Sequence, residues 1–173
     1  MRYLVLLIAA LPLSAQVKEM YPMQDFVENW KTTKAFTLAV AQAMPAEEYG
    51  FKPTSEEMSF AVLMFHIAGA NAFRFAQVAG VKNPMENPGK IAKEDAKRIA
   101  IDYMTKSFDF CIDQLSKLTT EQLNRMNKVD WVGRPEASGR MVLMNMFVHT
   151  AHHRAQAEVY LRLKGIKPPE YKF

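Results

Sequence analysis

Apolar residues recur at helical intervals along four stretches of the chain, and each stretch is bounded by residues that stop helices. From Met23 to Met44 the positions Phe26, Trp30, Ala35, Leu38 and Ala41 lie among polar neighbours, and Pro45 follows directly. That spacing predicts a first helix with one face turned inward. The next segment, PAEEYGFKPT, holds two prolines and a glycine in ten residues, so it reads as a connection that buries one aromatic, Tyr49 or Phe51. Thr54 followed three residues later by Glu57 has the form of a capping box, which predicts the start of a second helix there. This helix carries Met58, Ala61, Val62, Phe65, Ala68, Ala72, Phe75 and Ala76 and runs to about Val78, ending at Gly80. Residues 81–89, VKNPMENPG, form a turn-rich connection. From Ala92 to Leu118, Ile99, Tyr103, Phe108, Cys111, Ile112 and Leu115 fall between charges and predict a third helix. Glu94 and Asp95 sit in its first turn, where acids complement the helix dipole.

A short helical turn is expected after Thr119 and Thr120. Residues 124–138, NRMNKVDWVGRPEAS, place Val129, Trp131 and Val132 beside Gly133 and Pro135, which predicts an extended, hairpin-like excursion. Trp131 there either caps the helices or lines their mouth. The last helix spans Met141 to Lys164 and ends near Gly165, leaving IKPPEYKF as an extended tail. Four long helices joined by shorter segments predict an all-α four-helix bundle, a fold that builds metal sites on facing helices.

Composition agrees with one helical domain. The chain has 173 residues, 49% of them hydrophobic, and twelve Met and eleven Phe against seven Gly favour helices with bulky, adaptable packing. The formal charge is +4, but Lys and Arg are scattered and form no basic run interleaved with aromatics, so no nucleic-acid footprint is visible. The opening MRYLVLLIAALPLSAQ has Arg2, an apolar run from Leu4 to Leu11, the Pro12 break and small residues at Ser14 and Ala15. It reads as a signal peptide over 1–15 preceding a domain over 16–173, with export to the periplasm or the extracellular space; the alternative is a cytoplasmic protein whose first helix is merely apolar. The run is too short to span a membrane, so no stable insertion is expected after cleavage. The lone Cys111 cannot form an internal disulfide and reads as a small core residue.

The chemistry concentrates in the last helix, which carries His149, His152 and His153. Residues four apart on a helix share a face, so His149 and His153 can present two imidazoles to one ion, while His152 points about a hundred degrees away. A reactive divalent-metal site of the usual kind takes three protein ligands and leaves a position open. The remaining histidine is His66, on the second helix, where it reads either as a hydrogen-bonded structural group or as the third ligand. Thr150 stands where a zinc-protease helix needs its Glu base, so peptide hydrolysis is disfavoured. No Glu lies three residues before a histidine, which disfavours a di-iron centre. Zinc, nickel and ferrous iron all accept imidazole, so the metal stays open.

Two stretches carry a resemblance. MPAEEYGFKPTSEEMSFAVLMFHIAGAN and FVHTAHHRAQAEVYLRLKGIKPP resemble, in order, spacing and wording, the signature regions of the DinB-like superfamily. The resemblance implies a four-helix bundle holding one divalent metal ion by His66, His149 and His153, and, from many members, a homodimer. Relatives of that kind include S-transferases and isomerases that use bacillithiol, mycothiol or related thiols. It implies a metal-dependent enzyme that activates water or a thiol for transfer or hydrolysis on a small molecule. The alternative is a non-catalytic bundle that binds a metal or small ligand. Catalytic residues are not assigned by it, and the family name is no evidence for contact with DNA.

Overall fold

The computed structural model describes residues 23–131 and 133–171, with the backbone alone for residue 131. They form α1 (Met23–Ala43), α2 (Phe60–Ala79), α3 (Ala96–Leu115), a short α4 (Thr120–Asn124), β1 (Met126–Trp131), β2 (Arg134–Ser138) and α5 (Gly139–Leu163). The chain is mostly helical, but the expected all-α class is corrected by the antiparallel pairing of β1 with β2, in which Asn127 faces Ala137 and Lys128 faces Glu136. Gly133 makes the reversal at a φ of 72°, a conformation that costs a glycine little. The side chain of Trp131, expected to cap or line the helices, lies outside the described residues.

Each long helix buries one stripe. In α1 the inward residues are Trp30, Thr33, Phe36, Thr37, Val40 and Ala41, so Phe36 takes the place expected of Ala35, which is exposed. The shift follows from two threonines on the buried face: the Thr37 hydroxyl donates to the Thr33 carbonyl at 2.7 Å, which lets a polar side chain sit inside without an unpaired group. Trp30 is fully buried and meets Phe75 edge-on at 4.8 Å between ring centroids. α1 packs against α3 and α5, and α2 packs against the same two helices. Fully burying each Leu, Ile, Met or Phe of this core stabilises the fold by about 1.5–3 kcal/mol.

The second helix starts later than its capping-box pattern suggests. Thr54 and Glu57 lie in an irregular loop, and α2 begins at Phe60 with the Ser59 hydroxyl accepting from the Val62 amide. Its first amides are taken up by the preceding turn instead: Phe60 N–H donates to the Phe51 carbonyl and Ala61 N–H to the Tyr49 carbonyl. These bonds close the loop and satisfy donors that a helix start leaves free. At the other end Gly80 adopts a φ of 73°, and Arg125 donates to the carbonyls of Gln77 and Val78 while Gln122 donates to that of Ala79. The hairpin docks on the same helix through an Arg74–Asp130 ion pair and a bond from the Gln77 amide to the Lys128 carbonyl.

These contacts set α2 beside α5, and a buried polar pair holds the two together. Asn71 and Thr150 are both fully inaccessible; the Asn71 amide donates to the Thr150 hydroxyl at 2.9 Å, and that hydroxyl donates back to the Asn71 carbonyl oxygen at 3.1 Å. The leader expected over residues 1–15 falls outside the described range. No described helix gives positive support to a signal peptide, and that expectation is not retained. Among the described residues no helix is long and apolar enough to cross a membrane.

Candidate metal centre

His66 sits in the second turn of α2, and His149 and His153 lie one turn apart in the middle of α5. Because α2 packs on α5, the three rings meet. His66 Nε2 lies 3.0 Å from His149 Nε2 and 3.2 Å from His153 Nε2. Hydrogen bonding accounts for this arrangement poorly, since a neutral Nε2 carries either one proton or one lone pair and makes one linear bond, not two. An ion at about 2.0–2.1 Å from each nitrogen would space them about 3.0 Å apart at octahedral angles and about 3.4 Å at tetrahedral ones, and the observed separations fall in that range. The donor set therefore fits a divalent ion. Among the described residues no carboxylate or thiolate joins the group.

The protonation states suit ligation. The Gln156 side-chain oxygen lies 2.7 Å from His153 Nδ1 and accepts its proton, which leaves the lone pair on Nε2, the atom facing the other two rings. Burial, reinforced by His153, His66 and His152, pushes the pKa of His149 down to about 4. Burial also lowers those of His66 and His153. The cluster is thus neutral at pH 7, with lone pairs available. His149 Nδ1, which carries the ring proton when Nε2 presents its lone pair to the centre, is buried with no hydrogen-bond partner among the described residues.

All three histidines singled out in the sequence come together, and His152 stays outside the group with its ring 4.9 Å from that of His153. Two contributors escaped the sequence reading. Gln156 lies three residues after His153, the spacing at which helical side chains meet, so its role was in principle visible there. The Asn71–Thr150 pair carried no such signal, because its members are 79 residues apart. Cys111 is buried on α3 and takes no part; burial pushes its thiol well above the usual range. The site is open: His66 is exposed, with Val62 one turn before it 51% exposed and Phe73 two turns after it 52% exposed. A cavity of about 430 Å³, lined by Tyr49, Val62, Phe65, Ile91 and Lys93 among others, begins one helical turn from His66.

A mostly helical fold whose two facing helices bring three neutral imidazoles to one point defines a class of helical proteins with a histidine cluster. The DinB family model matches residues 17–173, and the chain belongs to the DinB family. It is 27% identical over 143 residues to YjoA of Bacillus subtilis (strain 168), an uncharacterized protein, in an alignment covering 82% of this chain and 90% of that one. The crystal structure of that DinB-like Bacillus subtilis protein superposes with a TM-score of 0.64 at 21% identity, covering 84% of this chain and 94% of the other. A DinB-like protein from Bacillus cereus ATCC 10987 gives a TM-score of 0.71 at 20% identity, over 86% of this chain and 97% of that one. A conserved protein from Enterococcus faecalis gives 0.65 at 17% identity, over 83% and 97%. At these identities the structural likeness establishes the shared fold.

Proposed function

We propose that the chain is a four-helix bundle that holds one divalent metal ion on His66, His149 and His153 and acts as a metal-dependent transferase or hydrolase on a small molecule. The observation that carries this reading is the convergence of three Nε2 atoms, two of the pairs at 3.0 and 3.2 Å, from helices whose ligands lie 83 and 87 residues apart. An ion held there supplies Lewis acidity, which lowers the pKa of a bound water or thiol toward neutrality.

The chain's own residues support that role in separate ways. Gln156 holds His153 in the tautomer whose lone pair faces the centre. Burial keeps His149 neutral, so the lone pair is not lost to a proton at working pH. The Asn71–Thr150 pair fixes the register of α2 against α5 beside His149. Exposed Val62 and Phe73 give a substrate apolar contacts on either side of His66. With no carboxylate in the cluster among the described residues, a proton released from water or thiol passes to solvent or to the substrate. Zinc, nickel and ferrous iron remain the candidate ions.

A second reading, a protein that binds a metal or small ligand without turnover, is favoured by the lack of a carboxylate or thiolate in the cluster among the described residues. Metal content of purified protein beside a His153→Ala variant tests the first part: one ion per chain is expected in the wild type and a large loss in the variant. Unchanged stoichiometric binding in the variant would remove His153 from the site. Metal-dependent conjugation of cysteine with 1-chloro-2,4-dinitrobenzene, or hydrolysis of an activated ester, separates enzyme from binder.

A further inference from the structure

The cavity of about 430 Å³ beside α2 has the size usual for small-ligand sites, roughly 300–1,000 Å³. Its walls are mostly apolar, with Tyr49, Ala61, Val62, Phe65 and Ile91 among them. Tyr49 brings a hydroxyl, but that group is already satisfied by donating to the Ala41 carbonyl at 2.7 Å. Phe65 packs edge-on against Tyr103 at 5.4 Å between ring centroids. The Asn87 side chain accepts from the Gly89 amide at 2.9 Å, which fixes the turn of the connection where it lines the cavity. Of the lining residues, Lys93 alone carries a charge. Among the described residues its ammonium makes no ion pair, although Glu47 and Glu94 share a second hollow with it. Val62, in the cavity wall, and His66 are four residues apart on α2 and so are neighbours, about 5–6 Å apart between Cβ atoms. Side chains on a helix lean toward its N-terminus, which carries the His66 ring toward the turn that holds Val62.

We infer that this cavity receives the body of the small molecule processed at the histidine cluster, and that this molecule has an apolar body and an anionic group, such as a carboxylate, paired with Lys93. The inference rests on the metal-dependent reading above and adds a substrate class to it. The walls decide the body: a sugar or other polyhydroxylated molecule would leave its hydroxyls unpaired against Val62, Phe65 and Ile91, and each buried polar group without a partner is costly. The charge decides the terminus, because a cationic molecule would meet Lys93 with like charge while an anionic one supplies the partner that Lys93 lacks. Val62, at about half exposure, is the point where the cavity and the open face beside His66 adjoin, so one molecule can lie across both.

Calorimetric binding of 6-mercaptohexanoate, which carries a thiol, an apolar chain and a carboxylate, tests this beside 6-mercaptohexanol, which lacks the charge. In the EDTA-treated full chain the carboxylate probe is expected to bind more tightly than the alcohol. Lys93→Gln, on an exposed position, is expected to remove that preference by weakening the carboxylate probe about 3–5-fold. Ala61→Leu, which fills the cavity, should weaken both probes about 10-fold or more, and zinc should tighten both by drawing the thiol to the cluster. Equal affinity for the two probes would overturn the proposal, as would a preference that Lys93→Gln leaves intact. So would unchanged binding to Ala61→Leu with an unchanged circular dichroism spectrum, or zinc-loaded protein that binds the thiols no more tightly than metal-free protein. A chain that takes up no zinc would instead refute the metal reading, and a Lys93-dependent preference surviving in it would uphold the cavity as the binding site.

Discussion

Replacing Thr150 by Val removes one hydroxyl from the helix pair that carries the histidines while keeping the shape of the side chain. Both members of the Asn71–Thr150 pair have no accessible surface, so in the variant the Asn71 amide loses both bonds without gaining water. Leaving a buried polar group unpaired costs about 1–3 kcal/mol, and two bonds are lost, so about 2–3 kcal/mol is expected. In a domain of this size that lowers Tm by about 4–12 °C. Asn71→Leu should cost less, because the orphaned Thr150 hydroxyl can turn back to the carbonyl four residues earlier. The double variant Asn71→Leu with Thr150→Val removes both polar groups and should be more stable than the sum of the single losses by about 1–2 kcal/mol. Urea denaturation of the four proteins in EDTA gives the cycle without any contribution from bound metal. Losses that add to within about 0.5 kcal/mol would show that the pair is not coupled and would remove the proposed tether between α2 and α5.

Three further outcomes follow from the geometry. Gln156→Leu removes the acceptor at His153 Nδ1 and should weaken metal binding about 10–100-fold in a chelator competition, with little change in Tm of the metal-free protein. A Cβ at Gly139 would lie 2.5 Å from the Gln122 carbonyl oxygen and 3.1 Å from Leu123 Cα, both backbone atoms. Gly139→Ala should therefore cost about 1–3 kcal/mol, read as a fall in the urea midpoint. In metal-free protein the folded chain holds His149 near a pKa of about 4, whereas the unfolded chain binds that proton near the usual value of about 6.5. The unfolded state then carries more protons, so stability should fall as pH drops from about 6.5 through 4; a His149 ring that titrates near 6.5 by NMR would contradict the assignment.

The helices were legible in the sequence because apolar spacing and stop signals agreed at three of the four. Pro45 closes α1 and Gly80 closes α2, and the hairpin was visible in Val129, Gly133 and Pro135. The start of α2 was misread because Thr54 and Glu57 satisfy a local pattern, while the loop's closure through the Tyr49 and Phe51 carbonyls is a tertiary fact. The inward face of α1 was misplaced because Thr33 and Thr37 are polar by type but buried by context. For the site, the spacing of His149 and His153 fixed one face of one helix. That His66 joins them depends on α2 lying beside α5, which no local pattern encodes, and the resemblance to the DinB-like superfamily supplied it.

The composition of the cluster narrows the chemistry further. Three neutral imidazoles contribute no charge, so a divalent ion held there would keep its full positive charge, where each carboxylate ligand would cancel one unit. Such a centre favours anionic ligands such as hydroxide, thiolate or a substrate carboxylate. The open face beside His66 leaves room for one of them. Since no carboxylate among the described residues lies within the cluster to take up the proton, the ligands best served are those that ionise easily near neutral pH. Thiols ionise near 8.5 in water while water itself requires a far larger shift, so on this donor set a thiol is the nucleophile that asks least of the site.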